Sequence, residues 1–358
     1  MAMFLANQLH MVINQRALRR ERVFRDRSHP LDKWNDHDMY KKYRFTRLAS
    51  INIIDLLSDE LQHPTERNHA LPPSLQVFIA LRFYGKGSYL DESGAEPHGV
   101  SIPTAQRAVS RVTPLLCRLQ NDYIKFPRTA EEVRQKQRDF MAVRPRGFPR
   151  VVGAIDCTHV RLHGVTLGPD EYVYINRKGK YSINVQLVCD AKYRILNVVA
   201  RWPGSTHDSR ILQASRLGHA YESGRLQGLL LGDSGYALKP WLMTPIQHPS
   251  TEAEEEYNRA HKRTRVLIEQ LNGQLKNKFA CLGSSGPKVK SPETACDMIV
   301  ACCVLFNISK DDYVQEAQDD DDDNQPPNPD DAGDLEAPDA DELLGIAVRN
   351  ELVRNVFS

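Results

Sequence analysis

The order of strand-like and helix-like segments between residues 150 and 278 constrains the fold more than any other feature of the chain. Short apolar runs rich in β-branched residues predict strands, and longer runs with apolar residues three and four apart predict helices. The segments are predicted in turn as strand, strand, strand, helix, strand and helix: 151–162, 182–190, 194–201, 208–217, 228–233 and 251–278. Three strands joined by short turns, then a crossover helix to a fourth strand, fit a mixed sheet with helices packed on it. The sequence therefore predicts an α/β domain over residues 150–310.

Three carboxylates fall where such a domain can aim them at one point. Asp156 lies inside the apolar run VVGAIDCTHV, Asp233 ends the run GLLLGD, and Glu269 lies on the long helix. Alternation along the first strand places Asp156 and Thr158 on one face and His159 on the other. We expect Asp233 at a strand end, where ligand sites of open α/β sheets gather.

A cluster of buried acids needs a compensating cation, because burying several unneutralised carboxylates is costly. Oxygen ligands alone favour a hard ion such as Mg²⁺ or Mn²⁺. Two such ions held by shared carboxylates can activate water and stabilise the leaving oxygen of a phosphodiester. For each acid taken singly, the alternative is a helix cap, a turn former or a solvated ion-pair partner.

A fourth acid, Asp208, lies in RWPGSTHDSRIL just after the third predicted strand. It either joins the metal ligands or caps the helix that begins at Ser209. His207 beside it is either a proton shuttle or a turn histidine with no catalytic part.

Basic side chains in three places are candidates for contacts with a nucleic-acid backbone. One group lies on the second of two helices predicted within 72–121, one surrounds Gly179 among tyrosines, and one shares the helix face of Glu269. Each has an ordinary alternative: a small helical subdomain, a basic hairpin turn and a solvated helix face. The candidates are, in that order, Arg107 and Arg111; Arg177, Lys178 and Lys180; and Lys262, Arg265 and Lys276.

The regions outside the α/β domain differ in composition. Residues 1–33 form an arginine-rich arm, for which nuclear import, DNA contact and a plain charged helix all remain open. Residues 34–145 are predicted as an all-α, helix-turn-helix-like region. Residues 311–342 form an acidic tail that is disordered by composition. Residues 343–358 regain helical periodicity and are expected to dock on this chain or on a partner.

The net charge of +1 hides a strong asymmetry along the chain. From residue 311 onward there are 16 acids and two basic residues, whereas residues 1–310 carry 45 basic residues and 30 acids. A body with a net charge of +15 suits a polyanionic partner. The tail, at −14, either screens that body or serves solubility alone.

Cysteine usage argues against a disulfide-bonded or zinc-binding protein, and hydropathy argues against a membrane-spanning or secreted one. The seven cysteines show no CxxC pair and no zinc spacing, so they are predicted as small core residues in a reducing compartment. No stretch approaches the ~20 apolar residues of a membrane helix, and residues 1–15 lack the apolar region of a secretory signal. We therefore expect no membrane partner.

Six segments together resemble the PIF/Harbinger transposase family and the Harbinger transposase-derived nucleases of animals: GAIDCTHV, YINRKGKYSINVQLVCDAKYRILNV, WPGSTHDSRIL, LLLGDSGY, PWLMTPI and RTRVLIEQLNGQLKNKF. The resemblance implies an RNase H-like nuclease fold with the acidic triad of DDE transposases. Asp156, Asp233 and Glu269 match the triad, and Asp208 matches an aspartate that serves as a further metal ligand. After Glu269 the chain has Gln-Leu-Asn-Gly, where many relatives have an aromatic residue and glycine.

The resemblance also implies partners and a location. Harbinger transposases act with a Myb/SANT-like DNA-binding protein that assists nuclear entry and recognition of DNA ends. A nuclear protein with a cytoplasmic pool before import is therefore expected, with a homo-oligomer as an open question. The implied activity is a Mg²⁺- or Mn²⁺-dependent DNA endonuclease or transposase. The alternatives are a domesticated adaptor that binds DNA and its partner without cutting, and an RNA-directed RNase H-like hydrolase.

Overall fold

The computed structural model describes residues 29–63, 70–87, 98–143, 147–165, 167–283, 286–287, 289, 291–311 and 340–357. The predictions for the basic arm before residue 29 and for the acidic segment 312–339 lie outside these residues. At its two described ends the predicted tail is helical, since one helix ends at Asp311 and another begins at Ala340.

Helices dominate the region before the sheet, as the sequence predicts. Asn35 and Thr46 cap two of them through their side-chain oxygens, and Thr129 forms a capping box with Glu132. The helices are α1 (Pro30–Lys33), α2 (Asp36–Tyr43), α3 (Arg47–Leu61), α4 (Pro73–Lys86), α5 (Ile102–Arg118), α6 (Gln120–Tyr123) and α7 (Ala130–Ala142).

Helix α4 forms the centre of this helical region. Every residue from Leu75 to Gly85 is buried, and α4 packs against α2, α3 and α5. Gly87 ends the helix at a φ of 61°, a left-handed conformation that glycine adopts without strain. Helices α4 and α5 fall where the helix-turn-helix is predicted. Whether α5 contacts DNA stays a prediction.

The sheet is mixed and has five described strands in the order β3-β2-β1-β4-β5. The pairs β1–β2 and β2–β3 are antiparallel, and β1–β4 and β4–β5 are parallel. The strands are β1 (Val151–Arg161), β2 (Ser182–Cys189), β3 (Ile195–Pro203), β4 (Leu229–Leu231) and β5 (Leu242–Met243). Four of them confirm the predicted strands. The fifth was not predicted, because a strand of two residues leaves no periodic pattern.

Two local predictions need correction. The connection between β1 and β2 is not a short turn, since it contains a 3₁₀ helix (Glu171–Tyr174) and an isolated bridge between Ile175 and Tyr181. The helix predicted at 208–217 is two helices, because Ser215 caps a new one by accepting a hydrogen bond from Gly218 N. The helices that follow the first strands are α8 (Asp208–Gln213), α9 (Arg216–Glu222), α10 (Glu252–Lys278), α11 (Pro292–Asp311) and α12 (Ala340–Leu352).

The two faces of the sheet bury separate apolar clusters. One face packs against α10, α11 and the N-terminal helices, and its cluster includes Ala154, Leu187 and Leu271. The other packs against α8 and α9, and its cluster includes Ile155 and Val188. Burial of each large apolar side chain contributes roughly 1.5–3 kcal/mol, so both faces of β1 are fixed by packing.

Helix α11 is a core helix. Its length and mean hydropathy of 1.3 would suffice to cross a membrane, which corrects the expectation that no stretch approaches such a span. However, 67% of the apolar window is buried inside the protein. Asn307 anchors the helix to edge strand β3, since its side chain accepts a hydrogen bond from Ile195 N and donates one to Ile195 O.

The C-terminal helix α12 and the π-helical turn after it (Val353–Phe357) pack on this chain. Leu352 and Val353 are buried, and the Phe357 ring lies 5.4 Å from Phe148 and 5.7 Å from Tyr257. Of the two docking modes predicted for this segment, the structure shows the one within the same chain.

Candidate active site

Strands β1 and β4 bring two of the predicted acids to the same end of the sheet. They are parallel neighbours, so their carboxyl ends point the same way. Asp156 lies on β1, beyond its paired stretch with β4, and Asp233 lies two residues after β4 ends. Helix α10, which carries Glu269, packs on β1.

The faces of β1 divide its side chains as alternation predicts. On the α10 side, Asp156 Oδ2 accepts a hydrogen bond of 2.9 Å from Asn272 Nδ2, and Thr158 Oγ1 accepts one of 2.6 Å from Lys276 Nζ. On the opposite side, the Cys157 sulfur lies 3.3 Å from the Tyr236 hydroxyl. The prediction that Asp156 and Thr158 share a face is confirmed.

Asp208 faces the sheet and does not cap a helix. It is the first residue of α8, whose N-cap is His207 with no side-chain capping bond. Its Oδ1 accepts a hydrogen bond of 2.9 Å from Asn184 Nδ2 on β2. Of the two interpretations of Asp208, the cap is the one that this geometry disfavours. His207 itself is exposed.

Gly235 lies between the carboxylates of Asp208 and Asp233. A Cβ at this glycine would lie 3.2 Å from Asp233 Oδ1 and 3.9 Å from Asp208 Oδ2. Ser209 Oγ donates a 2.6 Å hydrogen bond to Gly235 O, which ties α8 to the loop after β4. The two acids therefore flank one small space on the outside of the sheet.

Glu269 lies at the exposed rim of the site, within electrostatic reach of Asp156. Its side chain is 42% exposed and accepts a hydrogen bond from Arg265, whose side chain is 16% exposed. Among the described residues, no three His, Cys, Asp or Glu side chains are placed to hold one metal ion together as they stand.

The three other acids nevertheless lie within electrostatic reach of Asp156. Burial, the neighbouring Asp233 and, to a smaller extent, Asp208 and Glu269 together raise the pKa of Asp156 to about 8, against the opposing charge of Arg265. Burial and Asp233 also raise the pKa of Asp208, against the hydrogen bond from Asn184. The site thus concentrates negative charge that the protein only partly compensates.

The basic candidates are placed in different ways. Arg107, Lys262 and the hairpin residues Arg177, Lys178 and Lys180 are exposed, whereas three others are turned into the protein. Arg111 donates to Gln76 Oε1 and to Leu61 O at the end of α3. Lys276 binds Thr158 and His159 O, and Arg265 binds Glu269. The side chains of these three are engaged in holding the fold and the site.

The hairpin cations are close to the acids. Asn176 organises the turn by accepting hydrogen bonds from Lys178 N and Lys180 N. Burial and the charges of Lys276, Arg177 and Lys178 lower the pKa of His159 to about 4. The charge of Arg177 also opposes the rise in the pKa of Asp208.

Two asparagines of the site, Asn184 and Asn272, were missed as functional residues. Asn272 follows Glu269 by three residues and lies on the same helix face, which was a usable signal. Asn184 lies in the run SINVQLVC of β2, where Ser182, Asn184 and Gln186 alternate with apolar residues and all eight residues are buried. A buried amide in such a run requires a partner, and that was the only signal.

The chain is similar to known proteins of one family. Residues 155–307, which include all four acids, match the family model described as DDE superfamily endonuclease. The chain is 35% identical over 332 residues to the rat (Rattus norvegicus) protein named "Putative nuclease HARBI1", covering 92% of this chain and 93% of that protein. The Homo sapiens protein of the same name is 37% identical over 281 residues, covering 78% and 79%.

More distant similarity extends to plants. "Protein ALP1-like" of Arabidopsis thaliana is 25% identical over 282 residues, covering 74% of this chain and 67% of that protein. No solved structure matches the chain.

Proposed function

The chain belongs to the DDE superfamily endonuclease family, together with the HARBI1 proteins, and from that membership we propose that it is a divalent-metal-dependent DNA endonuclease. We assign Asp156, Asp233 and Glu269 as the catalytic acids and Asp208 as a further metal ligand. The observation that carries the proposal is the position of Asp156, half-buried on β1 and within electrostatic reach of the three other acids. The strand order and directions support an RNase H-like domain around them.

The residues fit a hard divalent cation. The four acids supply oxygen donors only, which Mg²⁺ and Mn²⁺ prefer. The partly compensated negative charge around Asp156 is what such an ion would neutralise. When bound, the ion would lower the pKa of a coordinated water and stabilise charge on the phosphate oxygens. Glu269 would have to leave Arg265 to join the other acids, and its side chain is 42% exposed and so free to change conformation.

The residues around the acids have separate tasks in this proposal. Asp156 on β1, Asp233 after β4 and Asp208 at the start of α8 form the fixed part of the site, and Glu269 would complete it from α10. Lys276 holds Thr158 and the His159 carbonyl, so it fixes the end of β1 next to Asp156. Arg265, if Glu269 left it, would keep a positive charge within electrostatic reach of Asp156.

The proposal is tested by a cleavage assay on terminal inverted-repeat DNA. Wild-type protein is expected to cut with Mg²⁺ or Mn²⁺ and not with EDTA, and Asp156→Asn, Asp233→Asn and Glu269→Gln are expected not to cut. If the three variants cut as well as wild type, the site assignment is wrong. If no form cuts and all bind DNA alike, the protein is an adaptor that binds DNA without cleaving it. The Arg265–Glu269 pair, which keeps the acids apart, favours that second function.

The hairpin around Gly179 is proposed as a DNA contact. Lys178 is exposed and lies within electrostatic reach of His159 and Lys276 at the site, and Tyr172 nearby is 65% exposed and able to stack on a base. Replacing Lys178 by Met is expected to weaken DNA binding. It should also make the slope of log K against log salt less negative by about 1, the loss of one phosphate contact.

A matched control for Lys178 is Arg225→Met. Arg225 is exposed and follows α9 at the opposite end of the sheet, where its Nε donates to Ser223 Oγ. Fluorescence anisotropy with labelled duplex at several salt concentrations measures both variants. An equal change in slope for the two would show that the hairpin makes no particular contact.

Partners and location follow from the Harbinger resemblance and are proposed with it. We propose a Myb/SANT-like DNA-binding partner, a nuclear location with a cytoplasmic pool before import, and homo-oligomer formation as a point for solution measurement. The basic body, +15 over residues 1–310, supports a polyanionic partner.

A further inference from the structure

Two buried asparagines each hold one acid of the site. Asn272 on α10 donates from Nδ2 to Asp156 Oδ2 at 2.9 Å, and Asn184 on β2 donates from Nδ2 to Asp208 Oδ1 at 2.9 Å. Asn184 is 1% exposed and Asn272 is 9% exposed. The same arrangement therefore occurs twice, once from helix α10 and once from strand β2.

Both amides keep an oxygen that accepts no hydrogen bond from any described residue. The atoms are Asn184 Oδ1 and Asn272 Oδ1, each buried. A buried acceptor without a partner destabilises the protein, so an amide at such a position is expected to serve through its N–H donor. In both asparagines, the amide N–H donates to a carboxylate of the site.

A neutral donor suits a metal-ligating carboxylate better than a cation does. Lysine or arginine would bind the same oxygen more strongly, but its charge would repel a divalent ion a few ångströms away. An amide N–H fixes the carboxylate in one rotamer and leaves its charge for the metal.

In Asp208, the oxygen that Asn184 does not engage lies toward Asp233. Asn184 engages Oδ1 of Asp208, and Oδ2 is the oxygen that lies near Gly235, on the side of Asp233. In the same way Asn272 engages Oδ2 of Asp156 and leaves Oδ1. Each asparagine thus occupies one carboxylate oxygen of its acid, and the Asp208 carboxylate also accepts a hydrogen bond from the Cys157 thiol.

We propose that Asn272 and Asn184 are positioning residues that orient Asp156 and Asp208 for a divalent metal ion. The inference rests on the proposed function, because it takes the two acids as metal ligands. Hydrogen-bonding partners of metal ligands typically contribute 10- to 100-fold to metal affinity. Asn272→Leu and Asn184→Leu are therefore each expected to weaken Mn²⁺ binding by about 10- to 100-fold.

The experiment titrates the full chain with Mn²⁺, follows free Mn²⁺ by EPR, and records the melting temperature of each form without metal. Asn258→Leu is the matched control, since Asn258 lies on the same helix but binds only the backbone of Ile246. It is expected to melt earlier and to bind Mn²⁺ as wild type does. Asn272→Ser, which keeps a donor, is expected to bind Mn²⁺ more tightly than Asn272→Leu.

The outcomes separate this inference from the proposed function. If wild type binds Mn²⁺, Asp233→Asn does not, and folded Asn272→Leu binds as tightly as wild type, the positioning role is overturned while the metal site stands. Absence of Mn²⁺ binding in wild type would overturn both. Asn184 also donates to Thr206 O, so if Asn184→Leu does not fold, the Asn272 series decides.

Discussion

Replacing Asp156 by Asn is expected to abolish DNA cleavage and, at pH 8 without divalent metal, to raise the melting temperature of the protein. The loss of activity should exceed about 100-fold, because a ligand contributes more than a group that only positions a ligand. The gain in stability arises because the amide removes a buried charge that Asp233, Asp208 and Glu269 all repel. Asn is nearly isosteric, and its oxygen can still accept the hydrogen bond from Asn272.

The effect depends on pH with a definite sign. The pKa of Asp156 is about 8 in the folded protein, against about 3.9 for an unfolded aspartate. Between these values the folded state holds a proton that the unfolded state has lost, so stability without metal falls as the pH rises toward 8. The advantage of Asp156→Asn should therefore be large at pH 8 and small at pH 5. Several degrees are expected, since about 1 kcal/mol moves a 150–250-residue domain by ~2–4 °C.

Thermal unfolding in EDTA at pH 5 and pH 8 measures this difference. Asp190→Asn is the control, because Asp190 is also buried but is fully satisfied by Lys136 Nζ at 2.5 Å and by two backbone N–H groups. Removing its charge should lower stability at pH 8. Addition of Mn²⁺ should raise the melting temperature of wild type and not of Asp156→Asn. A variant that melts below wild type at pH 8 would contradict the electrostatic description of the site.

The sequence was sufficient to predict most of the sheet and the placement of the acids along it. Strand alternation alone put Asp156 and Thr158 on one face of β1, and the structure adds that α10 covers that face. Strand β5 and the break at Ser215 could not be predicted, since each involves too few residues for a pattern. The clustering of the acids was inferred from strand ends, and the structure places them in electrostatic reach.

The hydrogen-bond partners of the acids and of several cations could not be predicted from the sequence, because the partners lie far apart along the chain. Asn272 meets Asp156 across 116 residues of chain, and Lys276 meets Thr158 across 118. Arg111 appeared as a surface cation on an amphipathic helix, but it donates to Leu61 O, 50 residues away. Helical periodicity states which face a residue occupies and not which atoms approach that face, so long polar side chains were assigned to solvent too readily.

Glu269→Gln is expected to remove cleavage as completely as Asp156→Asn does, and yet to leave stability without metal almost unchanged at every pH. The reason is the position of Glu269 at the rim, 42% exposed and paired with Arg265 four residues before it. Such pairs contribute about 0–1 kcal/mol, so their loss barely moves the melting temperature. Glu255→Gln is a matched control, because Glu255 forms the same kind of pair with Arg259 earlier on the same helix.

Together, Asp156→Asn and Glu269→Gln distinguish an acid that is fixed on β1 from an acid whose side chain must move to join the site. Glu255→Gln should cut DNA as wild type does, whereas Glu269→Gln should not, although the two melt alike. Mn²⁺ binding measured by EPR should weaken in Glu269→Gln only, since only Glu269 leaves its arginine to meet the ion. If Glu269→Gln binds Mn²⁺ and cuts as wild type does, the glutamate is a surface ion-pair partner and the site has three acids. If instead Glu269→Gln loses both Mn²⁺ binding and cleavage, Glu269 on α10 is the last ligand of the site. Metal binding would then be coupled to the breaking of the Arg265–Glu269 ion pair.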